Sequence, residues 1–353
     1  MLKNRTIAHE ATLLDALKKM DALDKKLLIV LNNCKFAGLL SAGDIQRSVI
    51  QNKPLETQVS NVLRSKIRIA SPNDDFDTIK QMMFDYRMEL CPVVTTNNDI
   101  EEVYFWEDIF HDKKPQPQKQ FNLPVVIMAG GFGTRLKPLT NVLPKPLIPV
   151  GDKTIIEHIF ERFHDHGCNN FFISVNYKAD LIEYYINNLN MRYQISYLKE
   201  EEPMGTAGSL SLLSGLINET FFVSNCDIMV DQDYSEILDY HRDNYNEITI
   251  VGALKHIPIP YGTIETKENG KLISMSEKPE FTMKINTGMY ILEPHLIKEI
   301  PSNYYHITDL ITSLIKQKRG VGVFPISAKS WVDIGDLNTC LGFLSKNNSP
   351  DEK

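Results

Sequence analysis

VVIMAGGFGTRLKPLTNVLPKPL, Val125 to Leu147, decides how the larger part of this chain is read. It opens as a short apolar run rich in β-branched residues, Val125 to Met128, which favours a strand. The run passes through Ala129 into glycine at 130, 131 and 133, with Thr134 after them. Without a Cβ, such a stretch lets backbone N–H groups come up against a phosphate. Arg135 and Lys145 add fixed positive charge, and Pro138, Pro144 and Pro146 stiffen a long loop. A strand that runs into this loop is phosphate-binding equipment. Two commoner phosphate loops are excluded. No Gly-Lys-Ser/Thr occurs here, and Gly131-Phe132-Gly133 is followed three residues on by Leu136 rather than glycine.

Downstream of the loop, strand and helix signals alternate. Thr154 to His166 reads as a helix with Ile155, Ile159 and Phe163 on one side, and Asp180 to Leu189 as another. NFFISVNY (170–177), ISYLKE (195–200), TFFVSNCDIMV (220–230), EITIVGAL (247–254), KINTGMYIL (284–292) and GVGVFPI (320–326) read as strands. Continuous apolar strands alternating with helices predict a mostly parallel sheet covered on both faces. The site is then expected at the carboxyl ends of the strands.

Upstream, HDKKPQPQKQFNL (111–123) alternates proline with Lys and Gln and reads as an extended linker, which leaves residues 113–123 between two domains. The part before it contains a repeat. Thr12 and Asp15 stand in capping-box spacing ahead of a helical face made by Leu13, Leu14, Leu17 and Met20. Asp75 starts a similar helix, 75 against 12, an offset of 63. LLIVL begins at Leu27 and LCPVV at Leu90, again 63 apart. FAGLLSAGDI and VYFWEDI follow, with Asp44 and Asp108 at matching places.

Composition bounds the rest. The chain has 353 residues, 42% apolar and 24% charged, which is ordinary for globular protein and long enough for two or three domains. A net charge of −7 argues against a general nucleic-acid binder. No apolar run approaches the ~20 residues of a membrane span, and the N-terminus is too polar for a signal peptide. Five scattered cysteines, odd in number and without a CxxC, fit free thiols in a reducing cytosol, so a cytoplasmic location is expected. The nine histidines show no metal-ligand spacing.

The first 112 residues resemble a CBS-domain pair, with copies of about 1–55 and 56–112. The resemblance implies an adenine nucleotide between the halves, its phosphate met by Ser41 and its ribose by Asp44 and Asp108. Phe105 stands where the second copy's hydroxyl belongs. The alternative is that these aspartates cap the helices that follow them. CBS pairs self-associate, so a homo-oligomer is expected.

Residues 124–347 resemble the sugar-1-phosphate nucleotidyltransferases. MGTAGSL (204–210), NCD (225–227), YGTIE (261–265), EKP (277–279), NTG (286–288) and WVDIGD (331–336) follow the glycine loop in the family's order. The resemblance implies an α/β fold, a Rossmann-like, GT-A-like, mixed but mostly parallel sheet domain, preceded here by the α+β CBS pair and ended by a tail, 348–353. It implies Arg135 and Lys145 as catalytic cations. Ala129, Gly130, Gly131, Gly133, Thr134, Gly205 and Thr206 would line the nucleotide. Gly208, Gly262, Glu277, Lys278, Asn286 and Thr287 would meet the sugar phosphate. Asp227 and Asp333 would hold Mg2+. Cys226 stands where the family usually has glycine. No hexapeptide repeat follows, so no attached acyltransferase is expected.

The CBS pair ahead of the compact loop resembles, within that family, the glucosamine-1-phosphate guanylyltransferases of bacterial legionaminic acid biosynthesis. GTP and glucosamine 1-phosphate are therefore the expected substrates. Mannose 1-phosphate with GTP, or thymidylyl, uridylyl or cytidylyl transfer to a glucose-type phosphate, remain open, as does a non-catalytic nucleotide-sensing regulator.

Overall fold

The computed structural model describes residues 4–86, 88–110, 119–189 and 191–335. Linker residues 113–118, the tail 348–353, Asp336 and Cys340 lie outside them. The chain divides into two units, Met1–Gln116 and Pro117–Lys353.

In the first unit, β1 (Thr6–Ala8), α1 (Leu13–Leu23), β2 (Leu27–Asn32), β3 (Lys35–Ser41) and α2 (Ala42–Ile50) are followed by α3 (Phe76–Tyr86), β4 (Leu90–Val94), β5 (Ile100–Phe105) and α4 (Trp106–Phe110). Helix–strand–strand–helix thus occurs twice. The Thr12–Asp15 capping box starts α1, and Asp75 accepts the Thr78 N–H at 2.7 Å at the start of α3. β1 pairs parallel with β2, Ile7 opposite Val30, and the second copy keeps this as a single parallel bridge, Ala70 opposite Val93. Both bridge partners stand 63 residues on from their counterparts, 70 against 7 and 93 against 30. Neither copy buries its strands alone. Ile29, Phe36 and Leu39 of the first copy pack with Leu90, Val103 and Phe105 of the second in one core.

The second unit begins with β6 (Val125–Met128), a two-residue hairpin of β7 (Pro149–Val150) and β8 (Lys153–Thr154), α5 (Ile155–His164), β9 (Asn170–Val175), α6 (Ala179–Asn188) and β10 (Gln194–Lys199). It continues through β11 (Phe221–Asn225), β12 (Ile228–Val230), α7 (Tyr234–Asp243), β13 (Ile248–Pro258), β14 (Thr263–Thr266), β15 (Leu272–Ser276), β16 (Glu280–Leu292), α8 (Ile307–Lys316), β17 (Val321–Ser327) and β18 (Trp331–Asp333). Seven strands form one sheet in the order β10-β9-β6-β11-β16-β13-β17. All neighbours run parallel except at β16, which is antiparallel to β11 and β13. The sheet is therefore mixed and mostly parallel. Val126, Phe172, Val223 and Leu292 from its strands pack with Leu310 and Leu314 of α8 in the main core.

One departure from the sequence reading bears on the site. TFFVSNCDIMV is expected as one strand, and the structure makes it two. β11 ends at Asn225, and β12 leaves the main sheet to pair antiparallel with β18. A carboxylate inside a continuous central ladder would be buried without a partner, which is costly. The break puts Asp227 at the end of β11 instead. Among the described residues no helix is long and apolar enough to cross a membrane. Cys34, Cys91, Cys168 and Cys226 are free.

Candidate active site

The loop after β6 gathers the site. The Ala129 N–H donates to the Ser174 carbonyl of β9 at 2.9 Å, which keeps the backbone in the sheet for one more residue before the glycines. Gly131 has open space on its side-chain face, with nothing within 4 Å of where a Cβ would stand. Gly133 adopts φ +63°, the left-handed region that favours glycine, and turns the chain into the short helical turn that carries Arg135. Thr140 is buried and donates its hydroxyl to the Gly133 carbonyl at 2.9 Å, folding the loop back on itself. Thr134 is exposed beside Arg135.

Pairing of β12 with β18 sets Ile228 opposite Asp333, and the Ile334 N–H donates to the Asp227 carbonyl at 2.8 Å. Two carboxylates 106 residues apart in sequence, 333 against 227, thereby meet at one place. A Cβ on Gly335 would stand 2.5 Å from Asp333 Oδ1, 2.7 Å from Asp227 Oδ2 and 3.0 Å from Arg135 Nη2. Arg135 reaches Asp227 at 3.5 Å and Asp333 at 3.6 Å, and Lys145 forms a close ion pair with Asp227. The structure therefore brings together Arg135, Lys145, Asp227 and Asp333. Arg135 remains 63% exposed, whereas the Lys145 side chain is only 12% exposed. Both cations are held at the site by these carboxylates.

Beside this cluster lies a cleft of about 380 Å³ at the ends of β6, β9 and β11. Gly130, Gly131 and Gly133 form one wall, and Gly205 and Thr206 another. Gly205 has φ +77°, and a Cβ there would come within 2.6 Å of the Tyr305 carbonyl. The Thr206 hydroxyl accepts the Ile307 N–H at 3.1 Å, so it also caps the first turn of α8. Gly208 is buried, with its N–H on the Tyr305 carbonyl at 3.1 Å.

The expected sugar residues do not line this cleft. Gly262 and Glu277 neighbour each other, with a Glu277 carboxylate oxygen 3.1 Å from where a Gly262 Cβ would be. Lys278 is exposed and left-handed at φ +45°. Asn286 donates to Tyr290 Oη at 2.8 Å and accepts the Gly288 N–H at 3.1 Å. Thr287 is buried, and its hydroxyl donates to the Val251 carbonyl at 2.8 Å. The Thr287 bond crosses to β13 at the irregular register between β13 and β16, and the Asn286 bonds stay within β16.

In the first unit, Ser41 and Asp44 form a capping box at the start of α2. Asp44 is buried and ion-paired with Arg47 and, at 2.9 Å, with Arg64. Asp108 sits in the first turn of α4. The helix-capping alternative thus describes Ser41 and Asp44. A cavity of about 310 Å³ lined by Ser41, Arg64, Lys66, Arg68 and Tyr86 lies between segments of the two copies, and Asp44 and Asp108 do not line it.

Sequence reasoning missed Glu200, Ser174, Tyr304 and His306, all in the cleft wall. Glu200 is buried and accepts the Ser174 hydroxyl and, at 3.0 Å, the Met204 N–H. Its signal was available: an acidic residue closes the apolar run ISYLKE where the strand meets the cleft. Cys226 is buried. Burial, with Asp227 beside it, pushes its thiol up to about 12.

Among the described residues no group of three or more His, Cys, Asp and Glu side chains is arranged to hold a metal ion. Two converging carboxylates suit Mg2+, which takes one or two protein carboxylates and completes its shell with water and substrate phosphate.

The family model described as Nucleotidyl transferase matches residues 124–347. The chain is 37% identical over 185 residues to the mannose-1-phosphate guanylyltransferase catalytic subunit beta of Dictyostelium discoideum, covering 50% of this chain and 52% of that protein. It is 33% identical over 243 residues to a mannose-1-phosphate guanyltransferase of Emericella nidulans, covering 64% and 66%. It therefore spans about half to two thirds of the length of these relatives. HddC from Yersinia pseudotuberculosis, solved in complex with GMP-PN, is similar with a TM-score of 0.50 and 26% identity, over 64% of this chain and 99% of that one. With the matched segment running from the strand before the glycine loop to beyond the second aspartate, the chain belongs to the nucleotidyl transferase family.

Proposed function

We propose that the chain is a Mg2+-dependent sugar-1-phosphate guanylyltransferase. A phosphate oxygen of the sugar 1-phosphate attacks the α-phosphorus of GTP, the bond to the bridging α–β oxygen breaks, and pyrophosphate leaves as the GDP-sugar forms. The observation that carries this reading is the meeting of Arg135, Lys145, Asp227 and Asp333 beside the open backbone of Gly131.

The nucleophile is already anionic near neutral pH, so the protein needs no general base. Its task is to suppress repulsion between two polyanions and hold them in line. Backbone N–H groups of residues 130–133 receive the triphosphate. Arg135, largely exposed, swings between its carboxylate partners and the β- and γ-phosphates. Lys145, more enclosed, stays near the α-phosphate. Asp227 and Asp333 would hold Mg2+, which would supply Lewis-acid neutralisation of the charge developing on the phosphates. Glu277 and Lys278, outside the cleft, would contact a sugar hydroxyl and the sugar phosphate.

GTP is favoured by the guanylyl transfer named for both relatives and by the GMP-PN complex of HddC. Glu200 supports it chemically: a buried carboxylate in the cleft wall offers acceptors to the N1–H and 2-amino donors of guanine. Mannose 1-phosphate, the sugar phosphate in the relatives' names, is the better-supported acceptor. Glucosamine 1-phosphate and a role in legionaminic acid synthesis rest on the resemblance alone. We read the first unit as a CBS pair that takes an adenine nucleotide in its basic cavity and helps the chain self-associate, in the cytoplasm.

The test is pyrophosphate release with Mg2+, crossing GTP, ATP, CTP, UTP and dTTP with the 1-phosphates of mannose, glucosamine, N-acetylglucosamine and glucose. GTP with mannose 1-phosphate should dominate. A dominant pair without GTP would overturn the guanylyl reading, and silence across the panel from folded protein would favour a non-catalytic regulator.

A further inference from the structure

The turn after β9 reads Asn176-Tyr177-Lys178; the first two side chains hold residues of the cleft wall, and the third holds the loop behind it. Asn176 donates its amide N–H to the Glu200 carbonyl at 2.7 Å, on the far wall. The Tyr177 ring packs on Phe132 of the glycine loop, centroids 5.4 Å apart. Lys178 reaches furthest along the loop. Its ammonium donates to the carbonyls of Thr140 at 3.3 Å, Asn141 at 2.7 Å and Val142 at 2.8 Å.

Those carbonyls close the short helical turn Leu139–Asn141, where backbone acceptors have no partner within the turn, and the Tyr177 hydroxyl also donates to the Thr140 carbonyl at 3.4 Å. An ammonium with three N–H donors matches three such acceptors, and its charge suits the carbonyl end of a helical turn. The turn lies midway between Arg135 and Lys145. Thr140 connects it back to Gly133, so one cation outside the loop fixes both of the loop's halves. Lys178 is itself left-handed, φ +54° and ψ +37°, at the cap of α6, a conformation that residues other than Gly and Asn seldom adopt. Local backbone preference does not explain a lysine at this position, and the three carbonyls do.

We infer that Lys178 is a positioning residue for nucleotidyl transfer: it clamps residues 140–142 so that Arg135 and Lys145 are held ready at the cleft. The inference rests on the guanylyltransferase reading for its kinetic arm only. Lys178→Gly is the decisive variant, because glycine adopts the left-handed backbone freely, so the ammonium and its stem are removed without adding backbone strain. The expected result is a kcat about 10- to 100-fold lower, the scale of a loop misplaced by an ångström. KM for the sugar phosphate should stay within about twofold, since its expected contacts lie elsewhere. Hydrogen exchange should rise in residues 134–145 while β6 and β11 keep their protection. Lys178→Arg, whose guanidinium also donates to several carbonyls, should restore much of kcat.

Unchanged kcat in Lys178→Gly would overturn the inference. So would a fall in kcat with no change of exchange in 134–145, or exchange raised equally through the whole second unit. If the glycine variant fails to fold, Lys178→Asn, which also tolerates the left-handed region, is read by the same criteria. If the wild type releases no pyrophosphate with any pair, the guanylyltransferase reading fails, and the exchange comparison alone decides whether Lys178 holds the loop.

Discussion

Arg135 and Lys145 share a carboxylate and differ in freedom. The Arg135 side chain is 63% exposed and reaches two aspartates at 3.5 and 3.6 Å, distances at which the pairs are loose. Removing it leaves Asp227 with Lys145, so no buried charge is stranded. Arg135→Ala should therefore lower kcat/KM by about 100- to 1,000-fold, the scale of one lost transition-state donor, with the melting temperature within about 2 °C of wild type. Pyrophosphate release and a thermal melt on the same preparation check this. Activity near wild type would remove Arg135 from the chemistry.

Between elements, a polar cluster in the second unit ties together the starts of β13 and β17. Arg319, just before β17, pairs with Glu247, just before β13, and with Glu299, while His295 also bonds Glu247. The Glu247 N–H donates to the Gly320 carbonyl at 2.8 Å, so side chains and backbone fix the same register. Arg319 and His295 hold the Glu247 carboxyl down at about 2, from an ordinary 4.5. A depressed carboxyl stabilises the fold above its unfolded pKa and loses that contribution as pH falls through the folded value. Discounted for solvent screening, Glu247→Gln should cost about 1 kcal/mol at pH 7. The gap between variant and wild type should close as pH drops from about 4.5 to 2. Melting temperatures of both proteins across that range provide the check, and a gap independent of pH would show that packing, not charge, is lost.

At the scale of the whole molecule, each unit has its own hydrophobic core. All the residues gathered at the candidate active site, from Gly130 to Gly335, belong to the second unit. Residues 119–353 expressed alone should fold cooperatively and release pyrophosphate with a kcat within about threefold of the full chain. Much lower turnover from a folded fragment would mean that the first unit contributes to catalysis.

The sequence by itself determined the repeat of the first unit, the strand–helix alternation of the second, and the chemistry of the glycine loop. Each of these is local. A capping box closes within four residues, an amphipathic face within two turns, and a run of glycines and cations is legible without knowing what it faces. Tertiary structure decided the rest. Glu200 reaches the cleft and Lys178 the loop after β6 only because β10, β9 and β6 are neighbours in the sheet, an order that no local pattern encodes. The apolar run through Cys226 is split because β12 finds β18 about a hundred residues later. Thr287, whose residue type suits ligands and turns alike, gives its hydroxyl to the carbonyl of Val251, 36 residues away in sequence. Partners far apart in sequence select among the roles a side chain is able to play, and that selection is made only when the sheet assembles.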